Sequence, residues 1–432
     1  MRTARQTSLG RGAVIAALLC SFAAVAAADG DGPVTLDRAL AEALAANAHL
    51  PLPALEMTIA TEREKEARAE RWLKVAVEGD FIYAPPGYSE PITNLGEARL
   101  QAAVRQPIYA GGALKAAVEK AGAGIEAARA RYRMAQKDLE LEVRSRFSEL
   151  LQARVEIEIR RGGLERLSTY RSSLKSRQAY GQGVSADLLK TDVRIALEQS
   201  TLVEVEQRAD EARLSLNDLM GRNPSAALEL EPLPDPGPPR EVDAAAWQSA
   251  PEIGAAEAAA RSAAADSTIA KAERRPRLML SADAGFLTDD TTHLNSRFWD
   301  RFWHDAGYSF SLVFAWPLWD TGAARARVAQ ASLGLEQARL QLEVERRDAR
   351  LAWEKARAAR DRLYAQIEIL SRAVPEAQDS YLQAESRYRG GAATALDVLD
   401  AHAAALDAAV RRSDGIARYR VAEAALLRWG TP

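Results

Sequence analysis

Cysteine is nearly absent from this 432-residue sequence, in which Cys20 stands alone. Three arginines, an apolar stretch at 13–27 and small residues up to Ala28 surround it, an arrangement typical of a secretory signal peptide. We therefore expect 1–28 to be cleaved off, which would leave the mature chain without disulfides or thiol chemistry. Lipidation of Cys20 is the alternative, but it needs a small residue before the cysteine, where the sequence has Leu19.

Long hydrophobic runs and aromatic residues are also scarce. After the signal segment, no run approaches the length of about 18 apolar residues that a spanning helix needs, so this secreted chain can enter a membrane only with strands. Aromatics make up 6% of the residues and much of the apolar content is alanine, which favours long, closely packed helices. A net charge of −3 without a basic block argues against a nucleic-acid partner.

The sequence offers no frame for an enzyme or a metal site. Its four histidines are scattered, without carboxylates or thiols at ligand spacing. Paired glycines at 111–112 and 162–163 lack the fingerprint of a phosphate-binding loop. We predict no catalysis, no metal and no cofactor.

Proline is missing from 108–223 and again from 318–374, and these stretches are rich in helix-forming residues, which predicts very long helices. A continuous helix from Gly322 to Tyr388 would be about 100 Å long. Apolar residues within these stretches recur every three or four positions, as in coiled-coil packing. The second-half seam is Val328, Ala331, Leu335, Ala338, Leu342, Ala349, Ala352, Ala356, Ala359 and Leu363.

The two halves of the sequence repeat each other. QPIYAGG at 106–112 matches WPLWDTG at 316–322, and YGQG at 180–183 matches YRGG at 388–391. Two copies are too few for a solenoid and suggest a duplicated unit arranged about an axis. The predicted organisation is a first repeat at 34–221 with long helix 111–180 and helix 185–221, a proline-rich connector at 222–241, and a second repeat at 242–430 with long helix 321–389 and helix 394–429.

Four segments alternate in polarity with the period of a strand. In the clearest one, Tyr308, Phe310, Leu312, Phe314 and Trp316 share one face. Each is close to the nine to eleven residues, roughly, that a tilted strand needs to cross a bilayer. An antiparallel sheet on a soluble core would give the same alternation, but the signal peptide favours the membrane. The predicted strands cover about 74–84, 97–108, 277–287 and 306–318.

A strand count predicts the assembly. Spanning strands must close into a barrel, and the smallest barrels have about eight strands, so four per chain are too few. Two chains would give a barrel filled by side chains, whereas three would give twelve strands, wide enough to begin holding water. We therefore predict a homotrimer.

Together these features resemble the TolC-like outer-membrane efflux family. TLDRAL at 35–40 is similar to the opening of the family's first helix, and the two segments at 106–112 and 316–322 resemble its strand-to-helix junctions. In those junctions, Pro107 and Pro317 would end the strand ladder, and Gly112 and Gly322 would permit the bend into the helix.

The resemblance implies a mainly α-helical chain with a small membrane β-barrel portion. Three copies would form a twelve-stranded barrel in the outer-membrane lipid, continued by a long α-helical barrel through the periplasm. Such ducts dock onto a periplasmic adaptor protein and an inner-membrane transporter that supplies the energy, and the duct itself catalyses nothing. Drugs, metal ions and secreted polypeptides all stay open as cargo.

The resemblance is most specific at the helix turns, where 388–400 is similar to the family tip ending in LDVLD. Asp397 and Asp400 share one helical face, so three copies would place six carboxylates around the periplasmic aperture, a ring that selects cations. The alternative for Asp397 is a helix cap with Thr394.

Two further roles follow from the resemblance. Some relatives latch this mouth with a basic residue where this sequence has Ala393. Tyr388 and Arg389 are the candidate latch here, and Arg387 is the alternative to Arg389. The first-half turn is shorter than usual, and Ser185 in it fits a helix N-cap. The residues expected to meet the adaptor are Gly183, Val184, Ser185, Gly391, Ala392 and Thr394; alternatively, the glycines merely permit the turns.

The competing class is a soluble periplasmic coiled-coil adaptor or scaffold protein. It would use the same signal peptide and helices, but it has no need for two alternating hairpins.

Overall fold

The computed structural model describes residues 32–83, 96–180, 185–288 and 306–429, so the predicted signal segment at 1–28 lies outside the described residues. The chain is mainly helical, as the sequence predicts. Its helices are α1 (Leu36–Ala46), α2 (Pro51–Ala69), α3 (Ala113–Ala179), α4 (Ser185–Leu219), α5 (Pro251–Ala272), α6 (Ala323–Arg389) and α7 (Ala395–Leu427). Its strands are β1 (Lys74–Tyr83), β2 (Gly96–Tyr109), β3 (Arg277–Thr288) and β4 (Ala306–Ala315).

The two long helices, α3 and α6, contain 67 residues each and are about 100 Å long at 1.5 Å per residue. Near the sheet, the helices pack side by side in the order α2–α3–α5–α6. At the opposite end the order is α4–α3–α7–α6, so α4 continues the position of α2 and α7 that of α5. The result is one layer four helices wide, with α2 and α4 along one edge and α6 along the other.

The strands form one antiparallel sheet in the order β1-β2-β3-β4. β2 and β3 pair across the two halves of the chain, with Ala102 opposite Ala284. β1 and β4 therefore form the two edges of the sheet, each with a single partner strand among the described residues.

A core at the middle of the layer fixes the connector to the helices. Val34, just before α1, pairs with Leu230 in a parallel bridge, and its amide N–H donates to the carbonyl O of Glu229 at 2.8 Å. Val143 and Phe147 of α3 are fully buried in the same cluster. The start of the chain and the connector are thereby held against the same turns of α3.

The predicted seam of α6 is correct at most positions and wrong at two. Ala352 and Ala359 are exposed, and the buried residues there are Trp353 and Arg360. Both series keep steps of three and four between Ala349 and Leu363, so spacing alone does not separate them. Arg360 is tolerated inside because its guanidinium donates to the carbonyl O of Arg240 at 2.9 Å and pairs with Asp361.

Within the described ranges, each helix is too short or too polar to serve as a membrane-spanning segment.

Candidate functional site at the helix turns and the sheet

The turn between α6 and α7 is closed by a glycine in the left-handed conformation. Gly391 has a φ of 77°, a region that glycine enters without steric cost. Its amide N–H donates to the carbonyl O of Tyr388 at 3.1 Å, and that of Ala392 donates to Arg387 at 2.8 Å, the pattern of a Schellman motif. Carbonyls that the end of α6 would otherwise leave unpaired are thereby satisfied.

A capping box begins α7. The backbone N–H of Thr394 donates to Asp397 Oδ2 at 2.7 Å, and the N–H of Asp397 donates to Thr394 Oγ1 at 3.3 Å. The hydrogen bond from the Thr394 backbone, followed by that from its hydroxyl, lowers the pKa of Asp397 below its usual value. The predicted capping role is therefore confirmed. Asp397 and Asp400 are both exposed, and the carboxylate ring stays a prediction.

Arg177, near the end of α3, holds this turn from the neighbouring helix. Its Nη2 donates to the carbonyl O of Arg389 at 2.7 Å and its Nη1 to that of Tyr388 at 3.3 Å. The guanidinium also lies over the Tyr388 ring, 5.2 Å from the centroid, and Tyr170 meets that ring edge-on. Arg177 has no signal in the sequence, because its acceptors are backbone atoms more than 200 residues away.

The two predicted latch residues contact groups of their own chain. The Tyr388 ring packs against Tyr170, with centroids 5.4 Å apart, and Arg389 Nη2 pairs with Glu385 Oε1 at 2.5 Å. The latch stays a prediction.

At the first-half turn, Ser185 is the first residue of α4, and its Oγ accepts a hydrogen bond from Gln178 Nε2 at 3.1 Å. This bond ties the start of α4 to the end of α3. Gly183 and Val184 lie outside the described residues.

A buried histidine, His402, lies two residues beyond Asp400 in α7. His402 Nε2 is 3.1 Å from the carbonyl O of Gly163, and its ring meets Tyr381 edge-on. Burial lowers the pKa of His402 to about 4, so the side chain is neutral at neutral pH. A Cβ at Gly163 would lie 3.1 Å from Leu406 Cδ1, so the missing side chain permits the close approach of α3 and α7. Of the glycine pair at 162–163, Gly163 therefore has a packing role.

At the other end of the layer, the two strand-to-helix junctions have the same backbone conformation. Gly112 and Gly322 precede α3 and α6 with φ values of 94° and 92°. The preceding residues, Gly111 and Thr321, also have positive φ, 65° and 55°. The predicted bends at Gly112 and Gly322 are therefore present in the described backbone.

The pairing register unites the alternating residues of the four strands on two faces of the sheet. Val77, Ala102, Ala284 and Tyr308 form one row on the first face. This face is apolar and open, with Val77 73% exposed and Tyr308 81% exposed. A contiguous apolar surface of this kind marks contact with lipid or protein.

The opposite face of the sheet is polar. Cross-strand ion pairs join Arg99 to Asp80 and Arg105 to Glu78, both at 3.0 Å. The hydroxyls of Ser281 and Ser311 are 2.6 Å apart. Charged groups that pair across strands while exposed are suited to water on this side.

Comparisons with known proteins agree with this architecture. The outer membrane efflux protein family model matches residues 33–222 and 244–429. The chain is 25% identical over 319 residues to the pyoverdine export outer membrane protein OpmQ of Pseudomonas putida, a match that covers 72% of this chain and 65% of that protein's length.

Several solved structures share the fold, among them two outer-membrane proteins. The outer-membrane channel OprN superposes with a TM-score of 0.82 at 22% identity, over 91% of this chain and 89% of that one. The outer membrane protein VceC of Vibrio cholerae superposes with a TM-score of 0.81 at 20% identity, over 91% of this chain and 95% of that one.

Among the described residues, no group of histidine, aspartate or glutamate side chains has the arrangement of a metal site. The chain belongs to the outer membrane efflux protein family.

Proposed function

We propose that the chain is one protomer of a trimeric outer-membrane duct that passively conducts cargo from a periplasmic adaptor and an inner-membrane transporter to the exterior. The four-stranded sheet carries this proposal, because its register collects exposed apolar side chains on one face and ion-paired side chains on the other. Such a sheet is suited to lipid outside and water inside.

The open edges support closure by further copies. In lipid, the unpaired backbone groups along β1 and β4 need partners, and the β4 edge of one copy can pair with the β1 edge of the next. The helices at the two edges of the layer also carry exposed apolar side chains. Exposed leucines on α6 include Leu333, Leu340 and Leu351, and exposed residues on α4 include Leu189 and Val193. Three copies give twelve strands and a ring twelve helices wide.

The proposed organisation of the chain is a removable segment at 1–28 followed by two repeats, 34–221 and 242–430, joined by the connector 222–241. The equal lengths of α3 and α6 and the matching φ values at the two junctions support the repeat. Each repeat contributes a hairpin and a long helix, so a trimer has six similar units around its axis.

We place the periplasmic aperture at the turn end of α7. Asp397 and Asp400 are exposed one helical turn apart, and Asp397 is held charged by its capping hydrogen bonds. The adaptor would contact the end of the layer where α3 is followed by α4, at Ser185, and where α6 is followed by α7, at Gly391.

Fractionation of cells that express the full chain tests the duct. We expect the protein in the outer-membrane fraction and, after extraction in detergent, a trimer by mass that dissociates on heating. Recovery as a monomer in the soluble periplasm would contradict the proposal and favour a scaffold protein.

Conductance in planar bilayers tests the aperture. We expect the double variant Asp397→Asn and Asp400→Asn to lose cation preference, because six charges leave the narrowest part of the pore. Asp407→Asn, two helical turns further along α7 and paired with Arg411, is the matched control. An unchanged reversal potential in the double variant would remove these residues from the constriction.

A further inference from the structure

Two matching segments lead into the sheet. The first entry turn, 69–74, ends on the first residue of β1, and the second entry turn, 272–277, ends on the first residue of β3. Both segments begin with Ala-Glu-Arg and end with a basic residue. At the fourth position the first has Trp72 where the second has Arg275. The first junction, 106–112, and the second junction, 316–322, are the segments that lead out of the sheet.

Within each half, the entry turn bonds to the junction through corresponding atoms. Gln106 Nε2 donates to the carbonyl O of Arg71 at 3.0 Å, and Trp316 Nε1 donates to that of Arg274 at 3.3 Å. Gln106 and Trp316 are the first residues of their junctions, and Arg71 and Arg274 are the third residues of their entry turns. The sequence correspondence therefore holds in three dimensions.

Between the halves, the second entry turn covers the first junction. Arg275 Nη1 donates to the carbonyl O of Gly111 at 2.7 Å. The approach is so close that a Cβ at Gly111 would lie 2.9 Å from both the carbonyl O of Ala272 and the Cβ of Arg275. Tyr109 beside it is 47% exposed.

The corresponding cover is missing at the second junction. A Cβ at Gly322 would meet nothing within 4 Å in the described chain, and Trp319, which corresponds to Tyr109, is 86% exposed. The matching cover, the first entry turn, lies beside β1 on the opposite edge of the sheet, with Trp72 72% exposed. Two entry turns and two junctions can form four equivalent contacts, and the chain forms three of them. The two surfaces of the fourth contact, the first entry turn and the second junction, lie at opposite edges of the sheet.

We infer that the first entry turn of a second copy, led by Trp72, covers the second junction of its neighbour at Thr321 and Gly322. This contact rests on the proposed ring of copies. It joins two different surfaces of the chain, and contacts of this type produce a closed ring when the rotation from copy to copy returns to the start. Thr321 has a Cβ where Gly111 has none, so the neighbouring turn stands off by a few tenths of an ångström relative to its counterpart. This contact buries Trp72 of one copy and Trp319 of its neighbour.

Cysteine cross-linking tests the contact in the full chain, whose only native cysteine is Cys20 in the predicted signal segment. By correspondence with Gly111 and Arg275, the Cβ atoms of Thr321 and Trp72 from adjacent copies fall near the separation of about 3.5–4.5 Å that a disulfide needs. We expect the double variant Trp72→Cys and Thr321→Cys, purified in detergent and oxidised, to yield covalent dimers and trimers that reduction returns to monomers. The matched control, Arg275→Cys with Thr321→Cys, is expected to stay monomeric on a denaturing gel.

The mass of the detergent-solubilised protein separates the two hypotheses. A trimer by mass without Trp72–Thr321 cross-links, or with equal cross-linking in the control, overturns this contact and leaves the duct intact. A monomer by mass overturns both. As a second measurement, Trp72→Ala is expected to lower the temperature at which the trimer dissociates, and an unchanged temperature contradicts the contact.

Discussion

The first and second junctions reach the same backbone conformation by different means. In the first, Gly111 and Gly112 are packed under the second entry turn, and Arg275 bonds to the Gly111 carbonyl. In the second, Thr321 occupies the left-handed region and is exposed among the described residues, and the Asp320 carboxylate accepts hydrogen bonds from the N–H groups of Gly322 and Ala324. Where the turn is packed, space dictates glycine; where it is open, a side-chain cap stabilises a bend that tolerates a β-branched residue.

The largest effect is expected from Gly111→Ala, which combines backbone strain with a steric clash. We expect the free energy of unfolding to fall by about 3 kcal/mol, since a left-handed alanine costs roughly 1–2 kcal/mol and overpacking adds a similar amount. Gly322→Ala is the matched control and should lose only the backbone part. Denaturant unfolding in detergent, followed by circular dichroism, measures both. Equal losses would show that the packing around Gly111 adds nothing to the cost of a side chain there.

A smaller, pH-dependent effect is expected at the cap. Backbone hydrogen bonds, that of Ala324 first, lower the pKa of Asp320 below its usual 3.8. A depressed pKa in the folded state stabilises the fold above pH 3.8 and loses this effect as the pH falls through the lower folded value. Asp320→Ala should therefore lower the Tm at pH 7 more than at pH 3.

The first junction supplies the converse of that experiment, since Ala110 corresponds to Asp320. Ala110→Asp should raise the Tm at pH 7 by giving the start of α3 the same cap. A Tm difference in Asp320→Ala that does not depend on pH would show that the charge has no part in the cap.

The smallest effect is expected from Thr321→Gly. Relief of a β-branched residue in the left-handed region gains roughly 1–2 kcal/mol, and the greater flexibility of glycine in the unfolded chain takes back about 0.5–1 kcal/mol. We expect a net rise in the free energy of unfolding of about 0.5 kcal/mol by the same denaturant assay. Thr321→Ala, which keeps a Cβ, should show no gain; a gain equal to that of glycine would mean that the φ of 55° carries no strain.

The mainly helical fold is predictable from the sequence, because the absence of proline and the apolar spacing of three and four residues are local properties of the chain. This spacing predicted burial of Ala352 and Ala359, which was wrong, because Trp353 and Arg360 are the buried residues there. The guanidinium of Arg360 is satisfied in the core by the carbonyl O of Arg240, which the connector brings in. No local pattern contains that partner.

In the candidate site, too, contacts between near neighbours were predictable from the sequence and contacts between distant residues were not. The capping box at Thr394 and Asp397 depends on residues three apart, so its spacing is visible in the sequence. The hold that Arg177 exerts on the turn at Tyr388, and the approach of Gly163 to His402, join residues more than 200 positions apart. Neither has a signal in the sequence, because the acceptors are backbone carbonyls that every residue carries.

The helices, the alternating strands and the two left-handed bends follow from the conformational limits of neighbouring residues, so they are visible in the sequence. That the four strands share one apolar and one polar face depends on the fold, because a face exists only once the register is set. The difference between the covered first junction and the open second junction depends on the fold as well. The pairing of β2 with β3 brings the second entry turn to the first junction and leaves Trp72 and Trp319 on opposite edges.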